Sequence, residues 1–213
     1  TSSAASDVYK RQDAGLLSTL GWTDAAGTPS FCLEGSLFNA GTVIQWLRDG
    51  LQIIDQAPQV NELARSVPDS GGVMLVPAFT GWGTPHWDPQ ARGVLVGLTR
   101  DSGRGHIARA ALEGIALSVA TLVELAEQAL GSGLGELAVD GGAAASDPLL
   151  QAQADCTGLT VRRPASLEST ARGVALFAGL QAGVISDLEQ LATARRDGAE
   201  LFHPQIDLSL IHI

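Results

Sequence analysis

The sequence runs to 213 residues, 45% of them apolar and only 17% charged, with 25 glycines. That length and balance fit one large packed domain or two small ones, and exclude a disordered or fibrous chain. A net charge of −10 and a pI near 4.7 set it against a nucleic-acid backbone, whose counterions are released by clustered Lys and Arg.

No apolar run reads as membrane-spanning, because Glu113 and Glu124 interrupt the Ala-rich segment around Ile115. Cys32 and Cys156 stand far apart without metal-ligand spacing, and read as small hydrophobes in a reducing, cytoplasmic setting. The two end stretches, Thr1–Gln12 and Leu208–Ile213, share no composition with the body and read as non-native tails. On that reading the body is a piece of a longer protein.

In chain order, "GLLSTLGW" and "PSFCLEGS" predict short strands joined by the turn residues "TDAAGT". "SLFNAGTVIQWLRDG" predicts a helix, with Leu37, Ala40, Ile44 and Leu47 at helical spacing, Ser36 as N-cap and Gly50 as the stop. A weaker helix is expected over about Ala57 to Ser66. Two β-branched runs, "GVMLVPAF" and "GVLVGLT", flank a loop, and the stretch Pro77 to Arg100 that contains it spends two of the four tryptophans and three of the nine prolines. Gly105 to Leu130 predicts a long helix approached by Asp101 or Ser102 as cap and ended by Gly131. A strand "ELAVDGG", a helix "DPLLQAQADCTG", a strand "LTVRRP" and a helix "STARGVALFAGLQAG" complete an alternating α/β pattern.

Three groups of residues could carry chemistry. In "VDGGAAASDP" a strand ends at Asp140, glycines follow, and a helix opens with Asp147 as cap and Pro148 at its first position. Adjacent glycines at the carboxyl end of a strand let backbone approach a phosphate, and equally make an ordinary tight turn. Asp147 would repel phosphates at that helix. Gly41 inside a helix, with Gln45 one turn on, makes either a flat polar niche for a purine or ribose or a site of close packing. In the loop, Trp82, His86 and Trp87 give stacking surface and Asp88 and Arg92 give charge. The same residues would also make a rigid self-packed loop with Asp88 and Arg92 paired.

Taken in order, "LEGSLFNAGTVIQWLRDG", "VPAFTGWGTPHWDPQARGVLVGLTR", "HIARAALEGIALS" and "VDGGAAASDPLLQAQAD" resemble the C-terminal domain of the FGGY carbohydrate kinases, and among them the glycerol kinases. The resemblance covers about Gly15 to about Leu191. It implies an α/β actin-like ATPase (ribonuclease H-like) domain, a mixed sheet flanked by helices, over residues 13–191, with 192–207 as a C-terminal extension. It also implies ATP and Mg²⁺ as cofactors and glycerol as phosphoryl acceptor, in a cleft closed by an N-terminal domain outside this sequence. Homo-oligomers are compatible with it; nucleic acid and membrane are not implied.

Residue by residue, the resemblance implies nucleotide binding by Gly41, Gln45, Gly141 and Gly142. Ser146 stands where the family usually carries an adenine-contacting asparagine, so that contact is weakened or water-mediated here. Trp82, Trp87, Asp88 and Arg92 fall on a cleft loop that serves positioning. The catalytic base lies upstream, so the sequence holds no catalytic and no metal-binding residue. His86 stands where glycerol kinases often have tyrosine, which leaves a pentulose kinase of the same family as one alternative. A non-catalytic actin-like nucleotide-binding module is the other.

Overall fold

A computed structural model of the chain describes residues 15–23, 27–185 and 198–206. Both stretches read as tails lie outside the described residues, as do residues 192–197 and 207 of the expected extension. The chain divides into two compact units, Thr1–Leu134 and Gly135–Ile213.

The first unit opens with an antiparallel pair, β1 (Leu17–Thr23) and β2 (Pro29–Glu34), whose register slips between Leu20 and Trp22. Helices α1 (Gly41–Asp49) and α2 (Gln59–Arg65) follow. A second antiparallel pair, β3 (Met74–Val76) and β4 (Val94–Val96), brackets the Trp/Pro loop, and α3 (Arg104–Leu130) ends the unit.

Helix α3 is the spine of this unit, because Ala108, Ala111, Leu112, Ile115 and Ala116 recur at helical spacing and are all buried. Two glycines allow its close seating. A Cβ on Gly114 would stand 2.3 Å from the Leu75 carbonyl of β3, and one on Gly105 would stand 3.0 Å from the Leu63 carbonyl of α2. By length and composition alone α3 could cross a membrane, with mean hydropathy 1.4 over an 18-residue window. The sequence reading missed this by weighing Glu113 and Glu124 too heavily. Its apolar face is nevertheless spent on protein, as in the core helix of a globular unit.

The helix ends correct three expected caps. Helix α1 starts at Gly41, not after Ser36, because Thr84 engages both backbone groups of Ser36. Ser36 N–H donates to Thr84 Oγ1 (2.9 Å), and Thr84 N–H donates to the Ser36 carbonyl (3.0 Å). Neither Asp101 nor Ser102 caps α3. Gly103 is the N-cap, its N–H donating to His106 Nδ1 (3.1 Å), while Ser102 Oγ accepts from Thr99 N–H (2.8 Å). At the far end Gly131 does stop α3, in the left-handed conformation (φ 69°).

The second unit carries the mixed sheet. Strand β5 (Leu137–Ala138) runs parallel to β6 (Val161–Arg163), and β7 (Glu200–Phe202) joins β6 antiparallel. Part of the expected extension is thus a strand of this sheet. Helices α4 (Asp147–Thr157) and α5 (Ser169–Gln181) accompany it. Leu150, Ala154, Val161 and Phe202 form its core, with Leu137 and Val139 packed against them. The third cap correction lies here. Ser146 caps α4, its hydroxyl accepting from Leu149 N–H at 3.3 Å, and Asp147 is the first helical residue.

Candidate functional site

In the first unit, Gly41 opens α1 on an exposed face, and a Cβ there would meet nothing within 4 Å. Close packing therefore does not explain this glycine. Ala40 precedes it as a cap without a side-chain hydrogen bond. Gln45 lies one turn further on and is also exposed, so both groups offer themselves to solvent. The inner face of α1 buries Val43, Ile44 and Leu47, which leaves the opposite face free to carry function.

The Trp/Pro loop is held by ties along its length. Trp82 N–H donates to the Asp88 carbonyl (2.8 Å), and Trp87 N–H donates to the Gly83 carbonyl (2.7 Å). The indole of Trp82 donates to the Thr84 carbonyl (3.1 Å), and that of Trp87 reaches the Gly15 carbonyl (2.8 Å). The Thr84–Pro85 peptide is cis. The expected Asp88–Arg92 pair does not form. Asp88 Oδ1 accepts from Gln90 N–H (2.7 Å), and Arg92 donates to the Pro89 and Ala91 carbonyls (2.9 and 2.7 Å). Short-range backbone partners cost less ordering than a side-chain pair, so both charges are spent locally.

Two polar residues that the sequence reading passed over anchor this region. Thr84 is buried and binds Ser36 as described. Asn39, also buried, accepts through Oδ1 from the hydroxyls of Thr42 (3.4 Å) and Thr80 (3.3 Å), linking the loop to the start of α1. Their partners lie up to 48 residues away, so no local pattern announces them.

In the second unit, the chain leaves β5 with Val139 N–H donating to the Arg162 carbonyl (3.0 Å). The Asp140 carboxylate accepts from Ser169 N–H (3.1 Å), and so serves the start of α5. Gly141 has φ 80° and ψ −179°, a region open to glycine almost alone. Its N–H donates to the Leu167 carbonyl (3.2 Å). Gly142 begins a single 3₁₀ turn, Gly142–Ala145, and needs no positive φ. A Cβ on either glycine would meet nothing within 4 Å, so the backbone there is open on the outside.

Ser146, by contrast, is buried, and its oxygen is used in capping α4. Asp147 Oδ1 accepts from Arg163 Nη1 at 2.8 Å, so the repulsive carboxylate expected at this helix start is paired. Arg163 also donates to the Ala144 carbonyl (3.1 Å) and pairs with Glu200. Burial acts against the charged guanidinium. The hydrogen bonds and charges of Glu200 and Asp147 together outweigh it and hold its pKa above the ordinary value.

Among the described residues no cluster of three or more His, Cys, Asp and Glu stands close enough to hold a metal ion. Cys32 and Cys156 form no disulfide.

Comparison with known proteins gives these geometries a family. The profile of the FGGY family of carbohydrate kinases, C-terminal domain, matches residues 2–182, beginning inside the stretch set aside on composition. The chain is 55% identical over 178 residues to a glycerol kinase of Aromatoleum aromaticum, covering 84% of this chain and 36% of that protein. It is 50% identical over 196 residues to a glycerol kinase of Citrifermentans bemidjiense, covering 91% and 39%. The chain therefore spans well under half the length of these relatives. Among solved structures, it is similar to Plasmodium falciparum glycerol kinase with ADP, at TM-score 0.84 and 30% identity, over 92% of this chain and 39% of that one. A xylulose kinase from Lactobacillus acidophilus shares the fold at TM-score 0.73 and 24% identity, over 91% and 38%. The α/β actin-like ATPase expectation agrees with these neighbours, and the chain belongs to the FGGY family of carbohydrate kinases, as its C-terminal domain.

Proposed function

We propose that the chain is the nucleotide-binding C-terminal part of a glycerol kinase. With the rest of the protein it would move the γ-phosphoryl group of ATP to a terminal hydroxyl of glycerol, giving glycerol 3-phosphate and ADP. The observation that carries this reading is the high identity to glycerol kinases across most of the chain. The geometry supports it, because each glycine assigned to the nucleotide presents open backbone rather than a packed face.

In this reading Gly41 and Gln45 border the base or ribose, and Gly141 and Gly142 lie against the phosphates. Ser146 keeps the turn before α4 in shape, and any contact it makes with adenine runs through its remaining hydroxyl capacity. The rigid loop carrying Trp82, Trp87, Asp88 and Arg92 positions its surroundings and makes no bond. Phosphoryl transfer is then mostly positioning and charge neutralisation from this side. The base that takes the glycerol proton belongs to the part of the relatives beyond this chain's span. Mg²⁺ would enter with the nucleotide phosphates and be held outside the residues described here. The cytoplasm, where ATP is supplied and thiols stay reduced, suits the two unbridged cysteines.

The test is a coupled assay on the full-length protein with ATP and either glycerol or xylulose. Glycerol-dependent ADP release, far above that with xylulose, is the expected result. Preference for xylulose, or no turnover with either, overturns it. The chain alone is expected to show none.

A further inference from the structure

Arg163 joins four features of the second unit. It ends β6, and its side chain is 16% exposed. Nη1 donates to the Ala144 carbonyl at 3.1 Å, inside the turn that Gly142 opens. The same nitrogen donates to Asp147 Oδ1 at 2.8 Å, at the first residue of α4. Nη2 pairs with Glu200, and the guanidinium carbon lies 5.1 Å from the ring centre of Phe202, both on β7.

We propose that Arg163 is a positioning residue for nucleotide binding, holding the Gly141–Gly142 turn in shape and cancelling the Asp147 charge beside it. This rests on the reading that the turn meets the nucleotide phosphates. The turn is fixed at its start, where Gly141 N–H meets the Leu167 carbonyl, and Arg163 fixes it at Ala144. Glycine-rich backbone has much freedom to lose, so a second anchor reduces what a ligand must order.

The charge argument is independent of the first. A carboxylate at the start of a helix suits the helix dipole but opposes a phosphate brought to the same place. A guanidinium at 2.8 Å, forked between two carboxylates and stacked on an aromatic ring, removes most of that opposition. Lysine cannot copy it, because one ammonium cannot hold Ala144, Asp147 and Glu200 in a planar fork.

The experiment uses the full-length protein and ADP as the titrated ligand, with melting temperature recorded for every variant. Arg163→Met is expected to weaken ADP roughly ten- to hundredfold, with the KM for glycerol held. Adding Asp147→Asn is expected to restore part of that affinity, because the carboxylate charge is then gone while the tie to Ala144 is not replaced. A merely structural arginine would lower the melting temperature, and its ADP effect would not depend on Asp147. Should Arg163→Met fail to fold, the pair Arg163→Lys and Asp147→Asn decides: the first is expected to weaken ADP and the second to tighten it. Wild-type affinity in a folded Arg163→Met protein, no recovery in the folded double variant, or the opposite signs in the fallback pair overturns the proposal. If ADP binding is lost in Gly142→Val but indifferent to Arg163, only this inference falls. If wild type ignores ADP, or Gly142→Val binds it normally, the reading of the turn falls and the inference with it.

Discussion

Gly141 and Gly142 look alike in sequence and have different reasons to be glycine. Gly141 sits at φ 80° with extended ψ, where a side chain costs about 1–3 kcal/mol of backbone strain. Gly142 has an ordinary backbone and open space around its Cα. Two substitutions therefore separate shape from contact. Gly141→Ala is expected to lower the melting temperature, since the strain falls on the folded state alone. Gly142→Val is expected to leave the melting temperature nearly in place while weakening ADP tenfold or more, read by calorimetric titration of the full-length protein; about 1.4 kcal/mol of lost contact suffices for that factor. Gln45→Ala follows the same logic on α1. Its side chain is exposed and carries no packing, so stability is kept. Loss of one hydrogen bond to base or ribose, about 1 kcal/mol, is expected to raise the KM for ATP roughly fivefold with the KM for glycerol held. A rise in the glycerol KM instead would place Gln45 against the other substrate.

At the scale of elements, one buried threonine ties the Trp/Pro loop to Ser36. Thr84→Val preserves volume but removes the acceptor of Ser36 N–H. A half-buried donor left unmet costs up to about 1–3 kcal/mol, or as much as a few degrees of melting temperature for a chain this long. Arg92→Ala, by contrast, removes exposed contacts to two carbonyls and is expected to shift melting by less than a degree. Thermal scans of the two variants side by side check the contrast. The loop also shows what local sequence could not tell. Strands β1 to β6, the long helix and its Gly131 stop were legible because each follows from periodicity and glycine within a few residues. The caps were not. Ser36, Ser102 and Asp147 have the right chemistry for capping, yet each is claimed by something else: Thr84, Thr99 and Arg163. A cap is a competition for hydrogen bonds, and two of these competitors lie 16 and 48 residues away. Strand β7 escaped notice for a similar reason, since "ELF" gains its meaning only from pairing with β6. The glycines of the candidate site were visible as glycines, but only the structure shows that none is needed for packing.

Over the whole molecule, apolar surface and charge pull in opposite directions. On the β3–β4 pair the cross-strand partners Met74–Val96 and Val76–Val94 share one face, and all four are exposed, with Leu98 beside them. The opposite face turns Leu75 into the core. Helix α5 buries none of its residues and exposes Val174 and Phe177 at 67% and 60%. Leu20, Trp22 and Phe31 are exposed on the β1–β2 pair. The indoles of the loop are not the main contribution, because Trp82 is half-buried and Trp87 spends its N–H on Gly15. Contiguous apolar patches of several hundred Å² on a folded chain are usually covered by something. A net charge of −10 resists self-association, but at physiological ionic strength its reach is only about 8 Å. The short-range apolar term should then win as concentration rises. Light scattering on the expressed chain is expected to show mass growing across a concentration series, faster at higher salt, where repulsion is screened further. Val76→Lys with Val94→Lys places two like charges opposite each other on the exposed face and is expected to reduce the growth. A constant monomer mass at every concentration, with no binding of a hydrophobic dye, would mean these faces are less adhesive than their composition indicates.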